Sequence, residues 1–140
     1  MGYRSAAAED CGLLARLNAQ LIRDENHRNS MSESELEARM RDWLANDYAA
    51  TLFEEGGTVV AYALYREEAQ SVYLRQFFVV REARRKGIGR RAFSLLRSEI
   101  WPRSKRVTVD VLLQNHSAIG FWRAEGFVDY YLGMEMPPLN

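Results

Sequence analysis

The chain has 140 residues, is 47% hydrophobic, 27% charged and 11% aromatic, and carries a formal net charge of zero. That size and composition fit one domain with a buried core and exclude a disordered tail or a collagen-like fibre. No run of about 18 apolar residues could form a membrane span. Residues 1–6 begin no secretory signal, and the single cysteine, Cys11, excludes an internal disulfide framework, so a cytoplasmic protein is expected.

The predicted elements follow in order. Tyr3 to Ser5 reads as a short strand. Ala6 to about Glu25 reads as a helix, with Leu13, Leu14, Leu17, Leu21 and Ile22 at three-to-four spacing and Glu9 and Asp10 in its first turn. Ser32-Glu33-Ser34-Glu35 matches a capping box, and Leu36, Met40, Trp43 and Leu44 form the apolar stripe of a second helix. Ala49 to Glu54 and Val59 to Arg66 are two strands joined by a Gly56-Gly57 turn, and Val72 to Val80 is a third. The apolar run Phe77 to Val80 suits a strand buried on both faces. A helix beyond Gly89 runs to Pro102, and Val107, Val109 and Val111 alternate as a strand. Asn115 or Ser117 caps a short helix closed by Gly126, and Phe127 to Met136 reads as a last strand. The sum is a mixed α/β sheet with helices on both faces and no internal domain boundary, a single domain over 1–140.

Charge is segregated. Residues 1–70 hold 13 acids and 7 bases, whereas 81–106 hold 10 bases against Glu82 and Glu99. The basic stretch lies where a buried strand gives way to a cationic loop, two glycines and a helix start, Val79-Val80-Arg81-Glu82-Ala83-Arg84-Arg85-Lys86-Gly87-Ile88-Gly89-Arg90. Glycines admit close backbone approach, and an open helix N-terminus offers N–H donors to a phosphate or pyrophosphate. The Gly-Lys-Ser/Thr ending of an NTPase loop is absent. The loose dinucleotide pattern at Gly87 is satisfied, but six residues separate it from its strand and no repeated βαβ units surround it. A nucleic-acid module finds no overall basic excess to support it. His27 and His116 lack metal-ligand spacing, and no nucleophile-elbow pattern surrounds Ser117.

Arg84-Arg85-Lys86-Gly87-Ile88-Gly89 resembles the Arg/Gln-x-x-Gly-x-Gly/Ala pyrophosphate motif of the GNAT superfamily of acyl-CoA-dependent N-acetyltransferases. Phe77-Phe78-Val79 is similar to that family's fourth strand, and Asn115 through Phe127 to its Asn-x-x-Ala…Gly-Phe segment. The resemblance implies a mostly antiparallel sheet splayed at the cofactor strand. It implies that acetyl-CoA is held by backbone around Arg84, Arg85, Lys86, Gly87, Ile88, Gly89 and Arg90, with pantetheine along Phe77, Phe78, Val79 and Val80. Asn115, Ser117 and Trp122 would then lie along the thiol end, and a backbone N–H near Phe77 would stabilise the oxyanion.

Acetyl transfer to an amine, whose solution pKa is about 10, needs a proton acceptor, and the departing thiolate benefits from an acid. The family's usual tyrosine acid is replaced here by Trp122, whose indole N–H has no useful acidity. Tyr73 stands where some relatives have a strand glutamate. Glu25, Tyr73 and Tyr130 are therefore the catalytic candidates, and Asp24, His27 and Gln76 the candidates on the acceptor side. The acidic first half points toward a cationic acceptor such as a polyamine, an aminoglycoside-like amine or a lysine-like amino group. The expected partner is a small-molecule or peptide amine, with no metal, no nucleic acid and no membrane, and a homodimer formed through strand edges near Tyr130 to Met136. The missing acid and base also leave open a non-catalytic acyl-CoA-binding regulatory module.

Overall fold

A computed structural model describes residues 1–140, in two compact units, Met1–Asp110 and Val111–Asn140. The first unit holds β1 (Gly2–Ser5), α1 (Cys11–Asp24), α2 (Glu33–Ala45), β2 (Ala49–Glu55), β3 (Thr58–Glu67), β4 (Ser71–Val79), α3 (Ile88–Leu95, extended by a wider π turn to Ile100) and β5 (Arg106–Val109). Its sheet has the order β1-β2-β3-β4-β5, antiparallel throughout except for the parallel pair β4 and β5.

Local chemistry explains most boundaries. Ser32 Oγ accepts from Glu35 N–H while Glu35 Oε1 accepts from Ser32 N–H, the reciprocal box expected at the start of α2. Gly56 and Gly57 take φ of +57° and +81°, as a tight β2–β3 turn requires. The first helix begins at Cys11 rather than at the expected Ala6. Ala7 is extended, and the Asp10 carboxylate accepts from Ala7 N–H at 2.7 Å and from both Nη atoms of Arg4 at 2.9 Å. That clamp ends the approach segment in a short 3₁₀ turn, and α1 starts at Cys11.

Both sheet faces are covered. Cys11, Leu14 and Leu17 of α1 and Met40 of α2 pack with Ala50, Leu52, Tyr62, Leu64 and Phe78 on one side. On the other, Phe77 and Trp101 meet Phe93 edge-on, and Trp101 meets Tyr65 in the same way. Burying each such large side chain contributes roughly 1.5–3 kcal/mol.

The alternation of β4 breaks once. Leu64 pairs with Gln76 but Tyr65 pairs with Leu74, leaving Arg75 as the extra residue of a β-bulge. Consequently Arg75 and Gln76, consecutive in sequence, both present their side chains toward α1 and α2, where Arg75 meets Tyr48 and Gln76 meets Tyr62.

In the second unit, α4 (His116–Ala124) starts at Asn115, whose Oδ1 accepts from Ala118 N–H at 3.1 Å, so Asn115 rather than Ser117 is the cap. Gly126, at φ +108°, closes it. The strand expected over Phe127 to Met136 is not formed. Side chains at alternate positions, Val128, Tyr130, Leu132, Met134 and Met136, are all exposed, and a period-two pattern without a paired ladder does not make a strand. The pairing edge expected there for a second copy is therefore absent.

Candidate functional site

The β4–β5 ladder runs only from Ser71↔Arg106 to Leu74↔Val109. Beyond it, residues 76–79 pair with β3 alone. Val80 N–H donates to Val60 on the β3 side, so strand alternation directs the N–H and C=O groups of Phe77 and Val79 to the opposite, splayed edge. That edge can take an extended chain with amide groups.

The loop following β4 turns over a buried Ala83 and enters α3 at a buried Ile88. Two of its residues are left-handed, Arg85 at φ +63° and Gly87 at φ +75°. A non-glycine residue at positive φ is strained, and such strain gathers at ligand-binding loops. Gly87 occupies the cap position of α3 and no side chain caps that end. A Cβ built on Gly87 would meet no atom within 4 Å, so its requirement is the backbone conformation rather than space. The uncapped first turn of α3, with an anion-attracting dipole end, suits a pyrophosphate. Arg84, Arg85, Lys86 and Arg90 are exposed around it.

Asp24, the last residue of α1, joins that helix to this loop. Its carboxylate accepts from Arg81 at 2.8 Å and from Arg84 at 2.6 Å, while Arg84 Nε donates to Val79 C=O at 2.9 Å. Burial tends to raise its pKa, but the two guanidiniums outweigh this and hold it below the usual carboxylate range.

Gln76 and Glu25 both lie near the buried Tyr62 hydroxyl. Tyr62, fully buried, donates its hydroxyl to Gln76 Oε1 at 2.7 Å. Burial pushes the Tyr62 pKa far up, and the nearby Glu25 carboxylate adds to the effect. Glu25, at the C-terminal cap of α1, thus lies within electrostatic reach of the Tyr62–Gln76 pair. His27 is exposed, its Nδ1 accepting from Asn29 N–H at 3.1 Å. Tyr73 is set apart: it donates to Asp110 Oδ2 at 2.8 Å, and burial with that carboxylate pushes its pKa up to about 12. A phenol held protonated in this way is a poor proton acceptor at neutral pH.

In the second unit, Trp122 is buried between Phe121 and Phe127, Ser117 lies exposed in the first turn of α4, and Tyr130 is exposed beside Tyr131. The residues that sequence reasoning missed are Arg39, Trp43, Tyr48 and Tyr62. Trp43 lies in the apolar stripe of α2, and Tyr62 in an ordinary strand alternation, so only their partners distinguish them.

The model of the acetyltransferase (GNAT) family matches residues 17–127. No curated protein sequence matches the chain. Among solved structures, a mutant of a Bacillus halodurans protein superposes with a TM-score of 0.81 at 22% identity, covering 99% of this chain and 100% of that one. A predicted acetyltransferase from Clostridium acetobutylicum, solved with acetyl-CoA, gives 0.75 at 19% identity over 97% and 95% of the two chains. An aminoglycoside 6′-N-acetyltransferase from Acinetobacter haemolyticus gives 0.72 at 18% identity over 100% and 99%. These structures share the fold, and the family match spans the glycine loop, both faces of the sheet and α4. The chain belongs to the GNAT acetyltransferase family and is an acyl-CoA-dependent acetyltransferase that uses acetyl-CoA.

Proposed function

We propose that the chain transfers the acetyl group of acetyl-CoA to a primary amine of a small molecule or peptide by direct attack in a ternary complex. The observation that carries this reading is the junction of the splayed β4 edge over 75–79 with the left-handed loop and uncapped start of α3. Acetyl-CoA supplies a thioester: the amine nitrogen forms the new C–N bond, the C–S bond breaks, and the proton given up by the amine balances the departing thiolate.

The chain's own groups divide the remaining work. Backbone donors from Arg84 to Arg90 hold the pyrophosphate, and the Phe77 N–H is assigned to developing negative charge on the carbonyl oxygen, a kind of interaction worth roughly 3–4 kcal/mol. Glu25 accepts the amine proton, directly or through water. Gln76, fixed by the Tyr62 hydroxyl, orients the amine. Tyr73, held protonated by burial and by Asp110, takes no proton in this reading.

Calorimetric titration with acetyl-CoA followed by thiol-release assays over a panel of amines tests the whole reading. Micromolar binding with release by one amine class supports it, and absence of acetyl-CoA binding overturns it. Glu25→Gln should lower turnover at least tenfold, the lower end of the usual general-base contribution of roughly 10²–10⁴ being softened by water, while leaving acetyl-CoA affinity within twofold. An unchanged rate removes Glu25 from the mechanism.

A further inference from the structure

Above the bulge of β4 stands a group of side chains that the chemistry so far does not use. The Arg39 guanidinium lies 4.4 Å from the centre of the Trp43 ring, and that of Arg75 lies 4.7 Å from the same ring. Two cations therefore share one aromatic face-partner across α2 and β4. No carboxylate pairs with either of them. Arg39 donates only to Asn18 Oδ1, at 3.2 Å, and its Nε is buried with no acceptor. Arg75 donates to the Tyr48 hydroxyl at 3.2 Å, and Arg66 donates to the same oxygen at 3.3 Å. With both lone pairs so engaged, Tyr48 retains its own hydrogen for another acceptor. Gln76 is alike: its Oε1 is taken by Tyr62, which leaves its NH₂ as the free end.

Elsewhere in the first unit several acids are held by arginines. Asp10 is held by Arg4, Asp24 by Arg81 and Arg84, Glu37 by Arg41, Glu55 by Arg91, and Glu68 by Arg66. Glu68 satisfies Arg66, but nothing of the kind serves Arg39 and Arg75. Burial lowers the pKa of Arg39, and the neighbouring positive charge of Arg75 lowers it further. Two guanidiniums stacked on one ring, with no carboxylate paired to either, are the charge and donor set that takes an anion.

We propose that Arg39 and Arg75, stacked on Trp43, bind a carboxylate carried by the acceptor amine, so that the substrate class is amino acids or short peptides rather than polyamines. The proposal rests on the acetyl-transfer reading for the location of the amine. Arg75 precedes Phe77 by two residues, about 6–7 Å along a strand, so the anion and the reacting amine belong to one small molecule. Part of the acid excess of residues 1–70, which suggests a cationic acceptor from composition, is taken up within the fold by internal ion pairs.

Matched acceptors test this. Thiol release is measured with alanine, β-alanine and lysine against their amides, and with spermidine and phosphoethanolamine. We expect kcat/KM at least tenfold higher for each acid than for its amide, as for the loss of a charge-assisted pair. Arg75→Gln, at an exposed position, should abolish that preference by raising KM while leaving kcat for the amide within twofold. Arg75→Lys should restore part of it, and Arg39→Gln should act in the same direction. Independently of turnover, N-acetylalanine and N-acetylalaninamide are titrated calorimetrically in the presence of CoA. Selective binding of the acid that Arg75→Gln abolishes upholds the carboxylate site even if no amine is turned over, in which case the acetyl-transfer reading fails alone. Equal binding of acid and amide, or an unchanged preference in Arg75→Gln, overturns the site and leaves acetyl transfer standing. Preference for spermidine or for phosphoethanolamine also overturns it.

Discussion

The loop at 81–90 and the side chains around Trp43 are both rich in arginine, yet they use it differently. In the loop the cationic side chains are exposed, two of them tie down Asp24, and left-handed residues shape the backbone that we propose holds the pyrophosphate. Around Trp43 the guanidiniums themselves are the donors, stacked on aromatic rings and supplied by two elements far apart in sequence. A run of bases in a sequence therefore marks the region with the less specific use of charge. The proposed carboxylate receptor is made from isolated arginines that the fold brings together.

If that contrast is right, the largest effect should come from backbone rather than charge in the loop. Gly87→Val should weaken acetyl-CoA binding roughly 100-fold, because a β-branched residue at φ +75° costs on the order of 2–3 kcal/mol. Gly87→Asn, which tolerates that conformation, should stay close to the parent in the same calorimetric titration. Equal losses for both would mean that bulk rather than φ is what Gly87 avoids.

On the other side, Tyr62→Phe should cost about 1–2 kcal/mol in urea unfolding by stranding Gln76 Oε1, and should raise KM for the acceptor without altering acetyl-CoA affinity. A change in acetyl-CoA affinity instead would tie Gln76 to the cofactor side.

Asp24→Asn sharpens the comparison through pH. The folded carboxylate titrates below its unfolded value of about 3.9, so its contribution is complete above that value and disappears as pH falls through the depressed folded one. Wild type should exceed Asp24→Asn by less than about 1 kcal/mol near pH 7, since Arg81 and Arg84 are substantially exposed. The two melting curves should converge by about pH 2–3. A gap that persists in acid would mean that the side chain stabilises by packing alone.

The smallest effect concerns salt. Raising ionic strength from about 0.05 to 0.5 M should weaken acetyl-CoA binding only a few-fold, since exposed loop charges are screened while backbone donors are not. A steep dependence would return the loop's exposed arginines to the leading role.

Elements whose causes lie within a few residues were legible before any coordinates. The Ser32–Glu35 box, the Gly56-Gly57 turn, the strands Ala49–Glu55 and Thr58–Glu67 and the glycine loop with its family likeness all rest on local backbone chemistry. Where a local pattern met a competing contact, the reading shifted. Asp10 reads as a first-turn helix acid and is instead the clamp that delays α1. Phe127 to Met136 has a strand's alternation and lacks a strand's partner.

Sequence by itself determined the fold class, the family and the place of the glycine loop, because helix caps, turns and left-handed glycines depend on neighbours along the chain. The splay of β4 beyond Leu74, the bulge that turns Arg75 and Gln76 to one side, the capture of Asp24 by the loop and the pairing of Arg39 with Arg75 over Trp43 were decided by tertiary structure alone. Each is a relation between elements separated by tens of residues, set by sheet register and helix packing, and register leaves no local mark in the residues that it brings together.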